Sequence, residues 1–310
     1  MRRLIALVTV SGMILLGLVA VGGPATAAFP GTNGRIAFST DFSRRPQIYT
    51  ARPDGTGIRQ LTHVSKGHAA SSPEWSPDGT KIVFTIDNQI WVMDADGSNQ
   101  RQLTHGASIQ SQEPSWSVDG TRIVFSRCSF PFGEERCAID VMNADGTGVT
   151  KLLGGNWINQ NPEYSPDGHT IAFASNRGGY VSNVWVMATN GTGLKRLTKP
   201  RLQAWAPDWA PDGSHIVFSS DAELPFPNVW VMRPDGSGLK EITHFPGGHA
   251  GGFASYSPDG KQIVLISDLA HPDLCCTDLY VMHADGSNLH AIVTSVPGIF
   301  ASDWGPAVTP

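Results

Sequence analysis

The sequence has little that announces catalysis or nucleic-acid binding. None of its ten histidines is followed by glutamate, so the H-E-x-x-H pair of zinc peptidases is missing. There is also no G-x-S-x-G nucleophile elbow and no phosphate-cradling P-loop. Lysine and arginine number 22 against 27 acidic residues and form no cluster, which excludes the electrostatic footprint of a nucleic-acid binder. Nothing in this inventory calls for a metal or an organic cofactor, and neither is expected.

The one long apolar run, Leu4 to Val21, follows Arg2 and Arg3 and ends at Gly22-Gly23-Pro24. Ala25-Thr26-Ala27-Ala28 then supplies small residues of the A-x-A type, the order of a cleavable export signal. Residues 1–28 are therefore expected to be a signal peptide and 29–310 the mature domain. No cysteine follows the run, so no lipid anchor is expected, and without this segment no membrane span remains. Cleavage removes two arginines and no acid, leaving 20 basic against 27 acidic residues, a net charge of −7. The expected location is the periplasm, cell envelope or extracellular space, as a monomer.

What is abundant is glycine (34) and proline (22), scattered along the chain rather than clustered. Scattered glycine and proline suit many tight turns, since one permits φ > 0 and the other presets φ. The turns belong to a repeat. A segment of the type W-S-P-D-G-x-x-I-x-F, then W-V-M-x-A-D-G-S and L-T, recurs, and its second turn falls at Asp54, Asp96, Asp145, Asn190, Asp235 and Asp285. The spacing of 42 to 50 residues is that of a four-stranded propeller blade. In the second copy, Lys81-Ile82-Val83-Phe84-Thr85 and Gln89-Ile90-Trp91-Val92-Met93 read as strands. Asp-Gly turns between short strands argue for antiparallel hairpins.

The ends of the repeat predict a closed ring. The first copy starts at Asn33-Gly34-Arg35-Ile36-Ala37-Phe38 and lacks its W-S-P strand, whereas the C-terminus carries an orphan, Ala301 to Pro306. One aromatic marks that strand in each of six copies: Trp75, Trp116, Tyr164, Trp209, Tyr256 and Trp304. The fold expected is all-β, a six-bladed propeller of four-stranded antiparallel blades, with the C-terminal strand completing the first blade. These residues resemble the TolB-like β-propeller repeat over roughly 29–306, and similar blades occur in tricorn and prolyl-oligopeptidase-type proteases. The chain departs from that family's pattern in lacking an α/β domain ahead of the propeller, so a partner role carried there does not transfer. Docking of a Pal-like lipoprotein on the propeller is what the resemblance implies.

The candidate sites follow from topology. Both kinds of Asp-Gly turn lie on one face, so the variable connections lie on the other, where binding residues concentrate. Counting four and three residues back from the blade aromatics places Gln112, Glu113, Gln160, Asn161, Trp205, Phe253 and Phe300 near the channel mouth, with Trp157 just before an innermost strand. Amides, a carboxylate and aromatics suit a peptide or a saccharide end. Trp91, Trp185 and Trp230 share one strand position and are expected in the core. Asp94-Ala95-Asp96-Gly97 resembles half a calcium loop, but Asp94 is replaced by Arg52, Asn143, Ala188, Arg233 and His283 in the other copies, so a structural turn is expected. His63, His105 and His244 occupy one position in three blades and are held apart. Cys128 and Cys137 flank a hairpin and are expected to pair. Cys275 and Cys276, in the same loop of the sixth copy, form a vicinal disulfide or stay as thiols. The function expected is binding of an envelope or extracellular protein, peptide or glycan, and the alternative is a lyase or hydrolase working at the channel mouth.

Overall fold

The computed structural model describes residues 30–40, 45–106, 108–179, 181–200, 202–221, 227–271, 277–294 and 298–308. Residues 1–28 and both Cys275 and Cys276 lie outside them. The chain is a six-bladed β-propeller, six separate four-stranded antiparallel sheets with two single-turn 3-10 segments, Pro131–Gly133 and Pro246–Gly248. Blade two shows the plan: Ala70–Trp75 innermost, then Lys81–Ile86, Gln89–Asp94 and, outermost, Arg101–Gln102.

Ring closure is as expected from the orphan strand. Ile299–Pro306 becomes the innermost strand of blade one and pairs antiparallel with Asn33–Thr40, with Ile36 opposite Trp304 and Phe38 opposite Ser302. The two ends of the repeat region are thus joined by a hydrogen-bonded ladder rather than by packing alone.

Packing follows the alternation of the second strands. Phe38, Phe84, Phe125, Phe173 and Phe218 occupy one repeat position and are fully buried, with Leu265 in the sixth. Each such side chain stabilises the fold by about 1.5–3 kcal/mol through removal from water. Trp230 is buried, but Trp91 and Trp185 are only partly so; they face outward on the third strand, where Trp185 lies under the Arg196 guanidinium. Among the three tryptophans only Trp230 is a core residue, although Tyr49 and Tyr280 are buried at the same position of blades one and six.

The first turn of the turn face keeps one design in four blades. In blade two the Ser76 hydroxyl donates to Asp78 at 2.6 Å, and Asp78 also accepts the Thr80 N–H at 3.0 Å. Burial works against the Asp78 charge, but these donors outweigh it and hold its pKa low. The same serine–aspartate pair recurs at Ser117/Asp119, Ser165/Asp167 and Ser257/Asp259. The second turn uses glycine for two reasons. Gly97 has φ +91°, and a Cβ there would lie 2.9 Å from the carbonyl oxygen of Leu61 in the previous blade. Asp96 accepts the Ser98 N–H at 2.9 Å while Asp94 pairs with Lys81 at 2.7 Å, so these carboxylates serve the turn itself.

Candidate functional site at the loop-face mouth of the channel

The innermost strands share a kink. Between the residues four places and one place before the blade aromatic the register slips, as from Ser71 to Glu74 and from Trp205 to Asp208. Within it Ser72, Glu113, Asn161, Ala206 and Phe253 all take φ of 47° to 52°. Left-handed backbone at non-glycine residues is costly, and here it is repeated in five blades. The bulge turns two residues per blade toward the lumen, the left-handed one and the one just before the aromatic.

Two tiers result. The upper tier opens on the loop face as a funnel of about 300 Å³, lined by residues that include Glu113, Asn161, Phe253 and Phe300. Phe253 and Phe300 are 40% and 37% exposed, which is unusual for phenylalanine and puts apolar surface at the rim. Below them lies a ring read from the next tier: Glu74, Ser115, Glu163, Asp208, Ser255 and Asp303. This ring separates the funnel from a chamber of about 40 Å³ toward the turn face.

The acids of this ring also join blades. Glu74 accepts the N–H of Trp116 at 2.8 Å, Asp208 that of Tyr256 at 2.7 Å, and Asp303 that of Trp75 at 2.8 Å, each from the next blade. Ser115 donates to Glu163 at 2.9 Å, and Ser255 to Asp303 at 3.1 Å. Glu113 does the same one tier up, accepting Asn161 N–H at 2.8 Å and the Ser126 hydroxyl at 2.7 Å.

Among the described residues no lysine or arginine lines either tier, so the carboxyls see one another across a narrow lumen. Burial first, then Asp303 and Asp208, hold Glu74 well above the usual carboxyl range. Burial, then Glu74 and Asp208, do the same for Glu163. Burial, opposed by the Tyr256 N–H and aided by Asp303, lifts Asp208 to about 7. Burial lifts Asp303 to about 6 and raises Glu113 as well. Such a group of coupled acids holds protons near neutral pH.

The other residues picked out by sequence are placed elsewhere. Gln112 donates to Asn88 and Gln110 on the loop face, and Gln160 and Trp205 sit in ladder pairs with Ala174 and Ser219. Trp157 packs over Gly155, and its carbonyl accepts the Cys137 N–H at 3.0 Å. None of these four lines the funnel. Cys128 and Cys137 are joined by a disulfide and are both buried. With Glu135 they make the one three-residue grouping of metal-type donors among the described residues, and the disulfide takes both sulfurs out of it. His63, His105 and His244 are exposed. A larger cavity, about 670 Å³, opens between blades two and three on the turn face, but Asp78, Asp94 and Asp119 in its wall are engaged by their own turns or by Lys81. Among the described residues no helix is long and apolar enough to cross a membrane.

Comparison with known proteins agrees with this geometry. Residues 29–129 match the model of the TolB beta propeller domain. A TolB homolog of Chlorobium luteolum is 39% identical over 67 residues, which is 20% of this chain and 15% of that protein. The chain matches less than a fifth of the length of its curated relatives. Among solved structures, TolB from Acinetobacter baumannii superposes with a TM-score of 0.72 at 21% identity, covering 90% of this chain and 69% of the other. Oligogalacturonate lyase from Vibrio parahaemolyticus has a TM-score of 0.58 at 14% identity, covering 85% and 76%. At these identities the solved structures establish fold alone. From the matched repeat, the six blades and the closing strand together, the chain is a TolB-like β-propeller.

Proposed function

We propose that the chain is exported and binds an extended, positively charged segment of a partner protein at the loop-face mouth of its channel. One observation carries this reading: two exposed phenylalanines, Phe253 and Phe300, share a lumen with five carboxyl groups, and no cation stands in its wall among the described residues. A peptide with a basic residue beside an apolar one meets both demands, because apolar surface is covered at the rim and charge is matched in the lumen. Among the described residues the funnel holds no tryptophan for a sugar ring. The matched TolB domain supports a protein partner, and Leu4 to Ala28 supports export.

Fluorescence anisotropy with labelled peptides tests the reading. A peptide alternating Lys or Arg with Leu or Phe should bind, weaken as salt rises, and lose roughly tenfold in affinity with Phe300→Ala or Glu113→Gln. Equal binding of an Asp/Glu peptide of the same length, or no effect of either substitution, overturns it. A second reading, a hydrolase or lyase, rests on Asp208 and Asp303, whose pKa values of about 7 and 6 suit proton exchange near neutrality. Turnover on a peptide or polysaccharide panel, lost in Asp208→Asn, would favour it instead.

A further inference from the structure

The ring below the funnel takes one residue from each blade, and hydrogen bonding divides it into two halves. On one side Ser115 stands between Glu74 and Glu163. Its hydroxyl donates to Glu163 at 2.9 Å and also meets the Glu74 carboxyl. On the other side Ser255 stands between Asp208 and Asp303, donating to Asp303 at 3.1 Å and meeting Asp208. Three consecutive blades supply each acid–serine–acid triplet, and the two triplets face each other across the lumen. A hydroxyl carries a single proton. Having given it to one carboxylate, the serine can only accept from the other, so that second carboxyl is held as the acid. Each triplet therefore keeps one proton and one negative charge.

The oxygens left over restrict what can bind. Glu74 has one oxygen on the Trp116 N–H, Asp208 has one on the Tyr256 N–H, and Glu163 has one on Ser115. Both oxygens of Asp303 are engaged, by Trp75 and Ser255. No ring carboxyl thus keeps a free pair of oxygens for a guanidinium, whose strong mode is the bidentate fork. Among the described residues no three ring carboxyls bring oxygens within 4.8 Å of one another. A bare calcium or magnesium ion, with bonds of about 2.0–2.6 Å, needs its ligands about that close. An ammonium suits single oxygens arriving from opposite sides. It has three donors on one small centre, and its bonds of about 2.8 Å to carboxylate oxygen span a wider gap. Depth agrees, because the chamber under the ring is only about 40 Å³.

Given that the funnel is where the partner binds, on which this step depends, we infer that the ring receives a single primary ammonium group, a lysine side chain or a free amino end of the partner, in exchange for protons held by the two triplets. Phe253 and Phe300 cover the apolar stem above the charge. The other titratable groups facing the ring are Glu113 in the upper tier and the Tyr164 and Tyr256 phenols in the chamber wall. No histidine, lysine or arginine lines either tier among the described residues. Arriving positive charge favours the ionised acids. Protons therefore leave as the partner binds, and affinity rises with pH.

The test uses mature protein and three peptides labelled at the carboxyl end. The first has lysines among leucines and an acetylated amino end, the second has arginine at each lysine, and the third has no lysine and a free amino end. By anisotropy, the first or the third should bind roughly tenfold tighter than the second, and the tighter of the two identifies the source of the ammonium. Calorimetry in buffers of different ionisation heat should show about one proton released, and affinity should rise by up to about tenfold per pH unit between pH 5.5 and pH 7.5. Glu163→Gln, whose amide oxygen still accepts from Ser115, should reduce the proton release. Glu113→Gln, above the ring, should not. An arginine peptide that binds as tightly as the better ammonium peptide, or binding without proton release, overturns the inference and leaves the funnel a binding site. Absence of binding by all three peptides overturns the partner site as well.

Discussion

The two faces of the ring are made from the same six repeats but behave differently. On the turn face the serine–aspartate pairs keep the same geometry from blade to blade, and the second-turn glycines press against the preceding blade. On the loop face the same repeats end in hairpins that share almost nothing: Asp87-Asn88 in blade two, a disulfide in blade three, a histidine–aspartate pair in blade six. The difference teaches where constraint lies. Contacts between blades demand identity because each turn must fit its neighbour, whereas the opposite hairpins meet the next blade through backbone bonds at their bases, as Ser111 N–H to the Asn88 carbonyl, which constrain side chains less.

The sharpest way to break that contrast is to compare two glycines of positive φ. Gly55, at +79° on the turn face, would place a Cβ against the carbonyl oxygen of Ile292 in blade six, across the seam that closes the ring. Gly67, at +90° in a loop-face connection, has nothing within 4 Å. Gly55→Ala should cost about 3 kcal/mol or more, from strained backbone and a clash with main chain that cannot rotate away. Gly67→Ala should cost about 1 kcal/mol, for φ alone. Denaturant unfolding of the two variants measures the gap; equal costs would show that the seam relaxes freely and that the turn face is uniform for some other reason.

Between the faces lies the acid ring, and its effect on stability has a definite sign. The raised values of Glu74, Glu163, Asp208 and Asp303 mean that the folded chain binds protons more tightly than the unfolded chain does. Stability from these groups is therefore fully present below the unfolded carboxyl range near 4 and is lost as pH rises through about 6 and 7. The thermal midpoint should fall between pH 5 and pH 8, with a slope of up to about 1.4 kcal/mol per pH unit for each proton involved. Asp208→Asn should flatten the slope above pH 6. A midpoint that rises with pH would mean the ring is held ionised by some cation.

Much of the fold was legible because a repeat carries its own redundancy. Trp304 without a copy of its own, and Asn33-Gly34 without a strand before it, together imply the pairing of Ile36 with Trp304. The site was half legible. Glu113, Asn161, Phe253 and Phe300 were found by counting back from the aromatics. The ring itself was in view as Glu74-Trp75, Glu163-Tyr164, Asp208-Trp209 and Asp303-Trp304, and side-chain alternation from a buried aromatic puts its preceding residue on the other side, toward the lumen. Gln112, Gln160 and Trp205 share their position with Phe300 and Ser71, which do line the funnel, so spacing alone does not decide entry there. Trp157 lies outside the funnel because where a loop residue points depends on contacts such as that with Gly155, which spacing does not encode.

The mildest test of the contrast concerns the disulfide on the variable face. Cys128 and Cys137 are opposite each other in the ladder of Arg122–Ser129 with Arg136–Asn143 and nine residues apart in sequence. Closing so short a loop in the unfolded chain contributes about 2–3 kcal/mol by the chain-entropy account. The strands are already paired on both sides of the bridge, and the other five blades form this hairpin without one among the described residues. Cys128→Ser with Cys137→Ser should thus lower stability by about 2 kcal/mol while leaving the fold, and the binding of a basic peptide, unchanged. Both sulfurs are buried, so alkylation and mass measurement should show the bond resisting reductant until denaturant is added. If the double variant instead lost as much as Gly55→Ala, the loop face would be as constrained as the turn face, and the division between a structural side and a free side would fail.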